Sequence, residues 1–121
     1  MNHSYDLEGR LLAYSARIIR LVDKLPKTRA GNHVAGQLLR SGTAALPNHA
    51  EAQAAESAND FVHKLKVCLK ELRESYRWLL LIQTAPLVSP NRVKLLIKET
   101  DELIRIFVAS IKTAGANKKE P

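Results

Sequence analysis

Cysteine is almost missing from this chain: Cys68 stands alone, so no intrachain disulfide can form. Proline and glycine are scarce, five of each in 121 residues, and no Asn-Gly or Asp-Gly pair offers a hairpin turn. Sustained period-two alternation is lacking too, which argues against a sheet. The longest uninterrupted apolar run, Trp78 to Ile82, falls far short of the roughly 20 residues a membrane-spanning helix needs. The first residues lack the basic-then-apolar pattern of a secretory leader, and with the unpaired cysteine this leads us to expect a reducing, cytoplasmic setting.

What is present is helical. Apolar residues make up 45% and charged residues 26%, enough apolar content to exclude a disordered chain. Alanine, leucine, lysine, arginine and glutamate dominate, all strong helix formers. The length suits a single domain, 1–121. Lysine and arginine number 19 against 12 acidic residues, and the resulting charge of +7 favours polyanionic ligands through counterion release, although a solvated basic surface has the same composition.

Periodicity and punctuation predict four helices, at about 4–25, 32–55, 58–84 and 90–113, with 114–121 a flexible basic tail. In the first, Leu7, Leu11, Tyr14, Ile18, Leu21 and Leu25 form one seam, Ser4 is the expected N-cap and Pro26 the stop. Asn32 is the expected cap of the second, whose seam is Val34, Leu38, Ser41 and Ala45. Pro47 cannot donate to the carbonyl four residues back and clashes with it, so a bend or break is expected between Thr43 and Asn48. Ser57 followed by Asp60 marks the start of the third helix, with seam residues Phe61, Leu65, Cys68, Leu72, Ser75 or Tyr76, Leu79 and Ile82. Ser89-Pro90 opens the fourth, which buries Val93, Leu96, Ile97, Thr100, Leu103, Ile104, Phe107 and Ile111 and is expected to end at Gly115. Short connections between such helices imply an antiparallel up-down-up-down four-helix bundle with a Pro-kinked second helix.

Two features outlast the core assignment. Leu12, Ile19, Leu39, Leu46, Val67, Leu69, Trp78, Leu80 and Leu81 lie off the seams, and a second apolar face on several helices marks an oligomer interface, with Leu39 and Leu80 as candidate assembly residues. Basic stripes run along other faces: Arg10, Arg17 and Lys24 on helix one, and Lys66, Lys70, Arg73 and Arg77 on helix three, where Glu71 and Glu74 interrupt the positive field only in part. These seven are the candidate nucleic-acid contacts. With aromatics at only 5%, contact would be to phosphate and shape, not to base edges.

No catalytic, cofactor or metal constellation stands out. His3, His33, His49 and His63 lack the spacing that puts two ligands on one helical face, and no Glu-x-x-His pair exists for a di-iron bundle. Cys68 lies on a core seam, where burial keeps a thiol protonated. The nearest alternative to a non-enzymatic chain is a site at the proline bend, built from Arg40, His49 and Glu51.

The segment Gln37 to Ile82, QLLRSGTAALPNHAEAQAAESANDFVHKLKVCLKELRESYRWLLLI, resembles a bacterial helical-bundle family, the 23S rRNA intervening-sequence proteins. The resemblance rests on two runs, roughly RSGTS-x-GAN-x-x-EA and E-S-x-x-x-F-x-x-K-L-x-x-x-L-K-E-x-x-E. Arg40, Ser41, Gly42, Thr43, Asn48, Glu51 and Ala52 fit the first, and Glu56, Ser57, Phe61, Lys64, Leu65, Leu69, Lys70, Glu71 and Glu74 the second. Leu46-Pro47 departs from the Gly-Ala common in the family. The resemblance implies a homo-oligomer, pentameric rings being known in the family, and no enzymatic activity. A related branch, the accessory protein of diversity-generating retroelements, implies RNA or DNA and a reverse transcriptase or another protein as partners. Arg40, Asn48 and Glu51 carry over as structural or assembly positions. The function expected is therefore that of a non-enzymatic accessory or scaffold module, with a protein-partner adaptor as the alternative.

Overall fold

In the computed structural model the described residues are 6–119, and they form five helical segments without a strand: α1 (Leu7–Val22), α2 (Arg29–Gly42), α3 (Ala45–Gln53), α4 (Ala58–Thr84) and α5 (Pro90–Lys119). α2 and α3 both pack on α1 and on α4, and α5 packs on α1 and α4. The pair α2 and α3 therefore fills one of the four positions of an all-α, four-helix fold. The seams expected from spacing are the core. Leu11, Tyr14, Ile18, Leu38, Leu72, Leu79, Ile82, Val93, Leu103 and Phe107 are fully buried, whereas Leu7, Phe61, Ile97, Ile104 and Ile111 pack at its margin.

The helix ends differ in part from expectation. Ser4 lies outside the described residues. α1 stops at Val22, short of Leu25, because the residue before Pro26 is sterically barred from helical backbone. The chain tightens there through Lys24 N–H to Leu21 O and Leu25 N–H to Val22 O, and Leu25 still ends buried. The second cap is Thr28 and not Asn32: its Oγ1 accepts from Gly31 N–H at 3.0 Å, while Asn32 N–H donates to Thr28 O one turn on. A Cβ on Gly31 would collide with the Pro26 carbonyl, so this tight entry requires glycine for space, not for an unusual φ.

α2 ends at Gly42 and α3 begins at Ala45, so the second helix is interrupted at Thr43–Ala44 and does not bend as one piece. Pro47 is the third residue of α3, where a missing N–H costs nothing because the first turn has no intrahelical acceptor. Side chains occupy the loosened backbone: Thr43 Oγ1 donates to Leu39 O at 2.6 Å and Asn48 Nδ2 to Ala44 O at 2.8 Å.

Ser57 caps α4 as its spacing predicts, with Oγ accepting from Asp60 N–H at 3.0 Å. Pro90 is the first residue of α5, also as predicted, but the helix continues past Thr113 to Lys119. Gly115 does not adopt the left-handed conformation that would stop it, and the alanine- and lysine-rich stretch beyond has ample helical preference.

Hydroxyls from all four bundle positions meet inside this core. Tyr14 of α1 lies against Thr100 of α5 at 2.7 Å, and Ser75 of α4 lies against Ser41 of α2 at 2.8 Å. Thr100 Oγ1 also donates to Leu96 O, so the hydrogen between Thr100 and Tyr14 belongs to the tyrosine. Desolvation pushes the Tyr14 phenol up to about 12, against the opposing pull of its hydroxyl neighbours Thr100 and Ser75.

Candidate nucleic-acid interface

α4 separates its charges by face. Lys66, Lys70, Arg73 and Arg77 recur at three or four residues and share one side of the helix; Lys66, Lys70, Arg73 and Arg77 are all exposed. The acidic residues between them point elsewhere. Arg40 of α2 donates Nη1 to Glu71 at 3.0 Å and Nη2 to Glu74, and Trp78 Nε1 donates to Glu74 at 3.0 Å. These donors, Trp78 first and Arg40 second, hold the Glu74 carboxyl below its ordinary value. Glu71 and Glu74 are thus drawn toward α2, leaving the basic side of α4 less neutralised than its sequence suggests.

That basic side borders α5. Lys66, Lys70 and Arg73 line a shallow cleft of about 460 Å³ floored by Leu69 and Ile111. Arg73 and Arg77 line its neighbour with Tyr76, Asp101 and Ile104. Arg77 stacks over the Tyr76 ring at 5.3 Å, which fixes the guanidinium at the cleft edge. α5 adds Lys94, Lys98, Arg105 and Lys112, all exposed and spaced four or seven apart. Of these Arg105 is paired, with Asp101 at 3.0 Å. The α5 stripe was legible from its spacing but is absent from the sequence-based candidates.

The first-helix candidates divide. Arg10 does not belong to an open basic stripe: its Nη2 meets Glu99 at 2.7 Å and Glu102 at 3.3 Å, and these carboxylates, Glu99 foremost, hold its pKa up. Nothing on α1 signals this, since the partners lie about 90 residues away in sequence. Arg17 and Lys24 instead share a different cleft with Arg20, three residues from Arg17 on α1, and with Arg92 of α5, which spacing on α1 alone could not bring in.

The residues around the proline do not converge. Arg40 reaches toward α4, Glu51 turns outward to Lys64 Nζ at 2.8 Å, and His49 turns inward, edge-on to Phe107 at 6.1 Å. His49 Nε2 lies 3.1 Å from Gln53 Nε2, while its Nδ1 is buried without a partner. Burial lowers the His49 pKa, opposed by Glu8. Asn48 serves the helix break through Ala44 O. Cys68 is fully buried, its Sγ 3.6 Å from Ala45 O, and desolvation pushes the thiol up to about 12. Among the described residues no three His, Cys, Asp or Glu side chains group as metal ligands, and no helix is long and apolar enough to cross a membrane.

Of the two candidate assembly leucines, Leu39 is 41% exposed and Leu80 is half-buried. Leu12, Ile19, Leu81, Leu95 and Val108 are the other large apolar side chains left exposed among the described residues.

No functionally curated protein matches the chain. Among solved structures it is similar to a protein of unknown function from the S23 ribosomal protein family of Bacteroides thetaiotaomicron VPI-5482. The two are 28% identical over 87% of this chain and 97% of that one, with a TM-score of 0.81. The family model for the 23S rRNA-intervening sequence protein matches residues 10–109. With the shared fold and a match across most of its length, the chain belongs to the 23S rRNA-intervening sequence protein family.

Proposed function

We propose that this protein is a non-enzymatic, cytoplasmic, homo-oligomeric accessory or scaffold module that holds the phosphate backbone of RNA or DNA on the basic side of α4. The observation that carries the reading is the withdrawal of Glu71 and Glu74 by Arg40, which leaves Lys66, Lys70, Arg73 and Arg77 facing solvent along one border. Charges so grouped lie within about one Debye length of their neighbours at physiological salt, so their potentials add. Closure into a ring, a pentamer by the resemblance, would multiply that field. The exposed Leu12, Ile19 and Leu39 favour such self-association. The dispersal of Arg40, His49 and Glu51 in three directions supports the absence of catalysis at the proline.

The bundle in this reading is antiparallel and up-down-up-down. The pairings Arg40 with Glu71 and Glu51 with Lys64, and Arg10 with Glu102 against Arg17 and Lys24 beside Arg92, support that order, since partners descend in number along one helix as they ascend along the other. Pro47 is the proposed cause of the interruption at Thr43–Ala44.

Fluorescence anisotropy with duplex DNA and structured RNA tests the interface. Neutralising about six phosphates should lose roughly three decades of affinity between 50 and 200 mM salt, with little sequence preference. Changing Lys66, Lys70 and Arg73 together to glutamate should abolish binding with the helical spectrum intact. Binding unchanged by that reversal would sink the interface and favour a protein-partner adaptor.

A further inference from the structure

The geometry points to a second, concave anion site between α1 and α5, one that takes a run of two or three linked phosphates. Arg17 and Arg20 of α1, Lys24 of the turn that follows it and Arg92 of α5 surround a cleft of about 290 Å³ whose apolar floor is Leu21 and Leu96. No carboxylate lines it. Among the described residues the ion-paired cations are Arg10, Arg40, Lys64 and Arg105, so none of the four cleft cations has an acidic partner. Of the acidic residues of α5, Glu99 and Glu102 are engaged by Arg10 and Asp101 by Arg105.

Four like charges gathered in a hollow repel one another, and together they focus a positive field that concentrates anions there. The positive end of the α5 macrodipole lies two residues from Arg92, adding to the field without being a site by itself. Arg17 and Arg20 are three residues apart on α1, about 4.5 Å along its axis, and Lys24 extends the row from the turn two residues past the helix end. A single phosphate meets only part of such a trough, whereas linked phosphates meet all four cations, with the arginines able to bind in bidentate fashion. The apolar floor leaves no group to accept from a neutral ligand. The shared chemistry is a polyphosphate chain, supplied either by a small polyphosphate or by the phosphorylated end of a nucleic acid strand. This cleft shares no residue with the α4 face, so either can fail alone.

The test is calorimetric titration of the full chain with inorganic tripolyphosphate, alongside single-stranded RNA bearing a 5′-triphosphate or a 5′-hydroxyl. Saturable tripolyphosphate binding is expected, weakened at least about tenfold in Arg20→Glu/Arg92→Glu, since each lost charge-assisted bond is worth a decade or more. Both substituted residues are exposed, and an unchanged melting profile certifies the variant's fold. Lys70→Glu/Arg73→Glu should bind tripolyphosphate as the unaltered chain does. Preference for the triphosphorylated strand, with competition by tripolyphosphate, assigns the ligand to nucleic acid ends; tripolyphosphate binding without that preference assigns it to small polyphosphates. No saturable binding at low salt, or equal loss in the two double variants, overturns the site.

Discussion

The Tyr14 hydroxyl donates to Thr100 Oγ1 across 2.7 Å of fully buried core, tying the first helix to the last. Because Thr100 passes its own hydrogen to Leu96 O, the two hydroxyls are not interchangeable. Tyr14→Phe removes a donor and leaves Thr100 still bonded, so it should cost about 1 kcal/mol. Thr100→Val removes the acceptor at 2.7 Å and leaves the buried tyrosine hydroxyl only Ser75 as a neighbour, so it should cost about 1–3 kcal/mol. The double variant should be less destabilised than the two losses added, and urea unfolding of the four proteins measures that coupling.

Gly42 of α2 packs against Ile18 of α1. A Cβ there would stand 2.7 Å from Ile18 Cγ2 and 2.9 Å from Cγ1, inside van der Waals contact with a fully buried side chain. Alanine normally gains about 1 kcal/mol over glycine within a helix, but Gly42 is the last residue of α2, where that gain is small, and overpacking costs about 1–3 kcal/mol. Gly42→Ala should therefore lower the melting temperature, and Ile18→Val in the same chain should recover part of the loss. Gly31→Ala meets the Pro26 carbonyl instead of a side chain, so no side-chain change should rescue it.

The core was legible because burial follows helical period: every seam residue of the second helix, Val34, Leu38, Ser41 and Ala45, is buried. An interruption between Thr43 and Asn48 was legible because the effect expected of Pro47 is local, and the helix does break at Thr43–Ala44. The cap at Thr28 was less so, since Asn32 is an equally good capping residue by type and only the close packing of Gly31 under Pro26 selects between them. Charge pairing was the least legible. Arg10 and Arg17 are alike in spacing and chemistry, yet one meets Glu99 and the other opens into a cleft, a distinction set by residues of α5 that no pattern on α1 contains.

His49 sets an acid limit on stability. Its pKa is lowered in the folded chain by burial, so folding holds the ring neutral while the unfolded chain takes up a proton near the ordinary value of 6.5. The sign follows: this contribution is fully present above about pH 6.5 and is lost as pH falls through the folded value. His49→Leu should flatten the pH dependence of the melting temperature between about pH 7 and 5. It should also cost little at pH 7.5, because the buried Nδ1 has no partner to lose and Gln53, which loses Nε2, is exposed to water. A variant whose melting temperature still falls with the same slope would place the acid sensitivity elsewhere.

The two candidate assembly leucines should separate in their effects. Leu39 is 41% exposed, and Leu12 and Ile19, at 60% and 47%, sit seven residues apart on one face of α1, the helix against which α2 packs. Leu80 is half-buried and follows Leu69, Arg73 and Tyr76 at eleven, seven and four residues, on the stripe of α4 that borders Ile104 and Ile111 of α5. A charge at Leu39 therefore meets water in an isolated chain and an apolar partner only in an assembly. Leu39→Glu should reduce the solution mass toward the 13.5 kDa of one chain while helicity and the monomer's unfolding remain near normal. At Leu80 the charge enters the border of α4 and α5 in every chain, so Leu80→Glu should lower the melting temperature whatever the oligomeric state. Light scattering coupled to size exclusion, read beside thermal melts, distinguishes the two. An unaltered chain that already elutes at 13.5 kDa at micromolar concentration, in place of about five times that mass, would remove self-association as the reason for the exposed leucines.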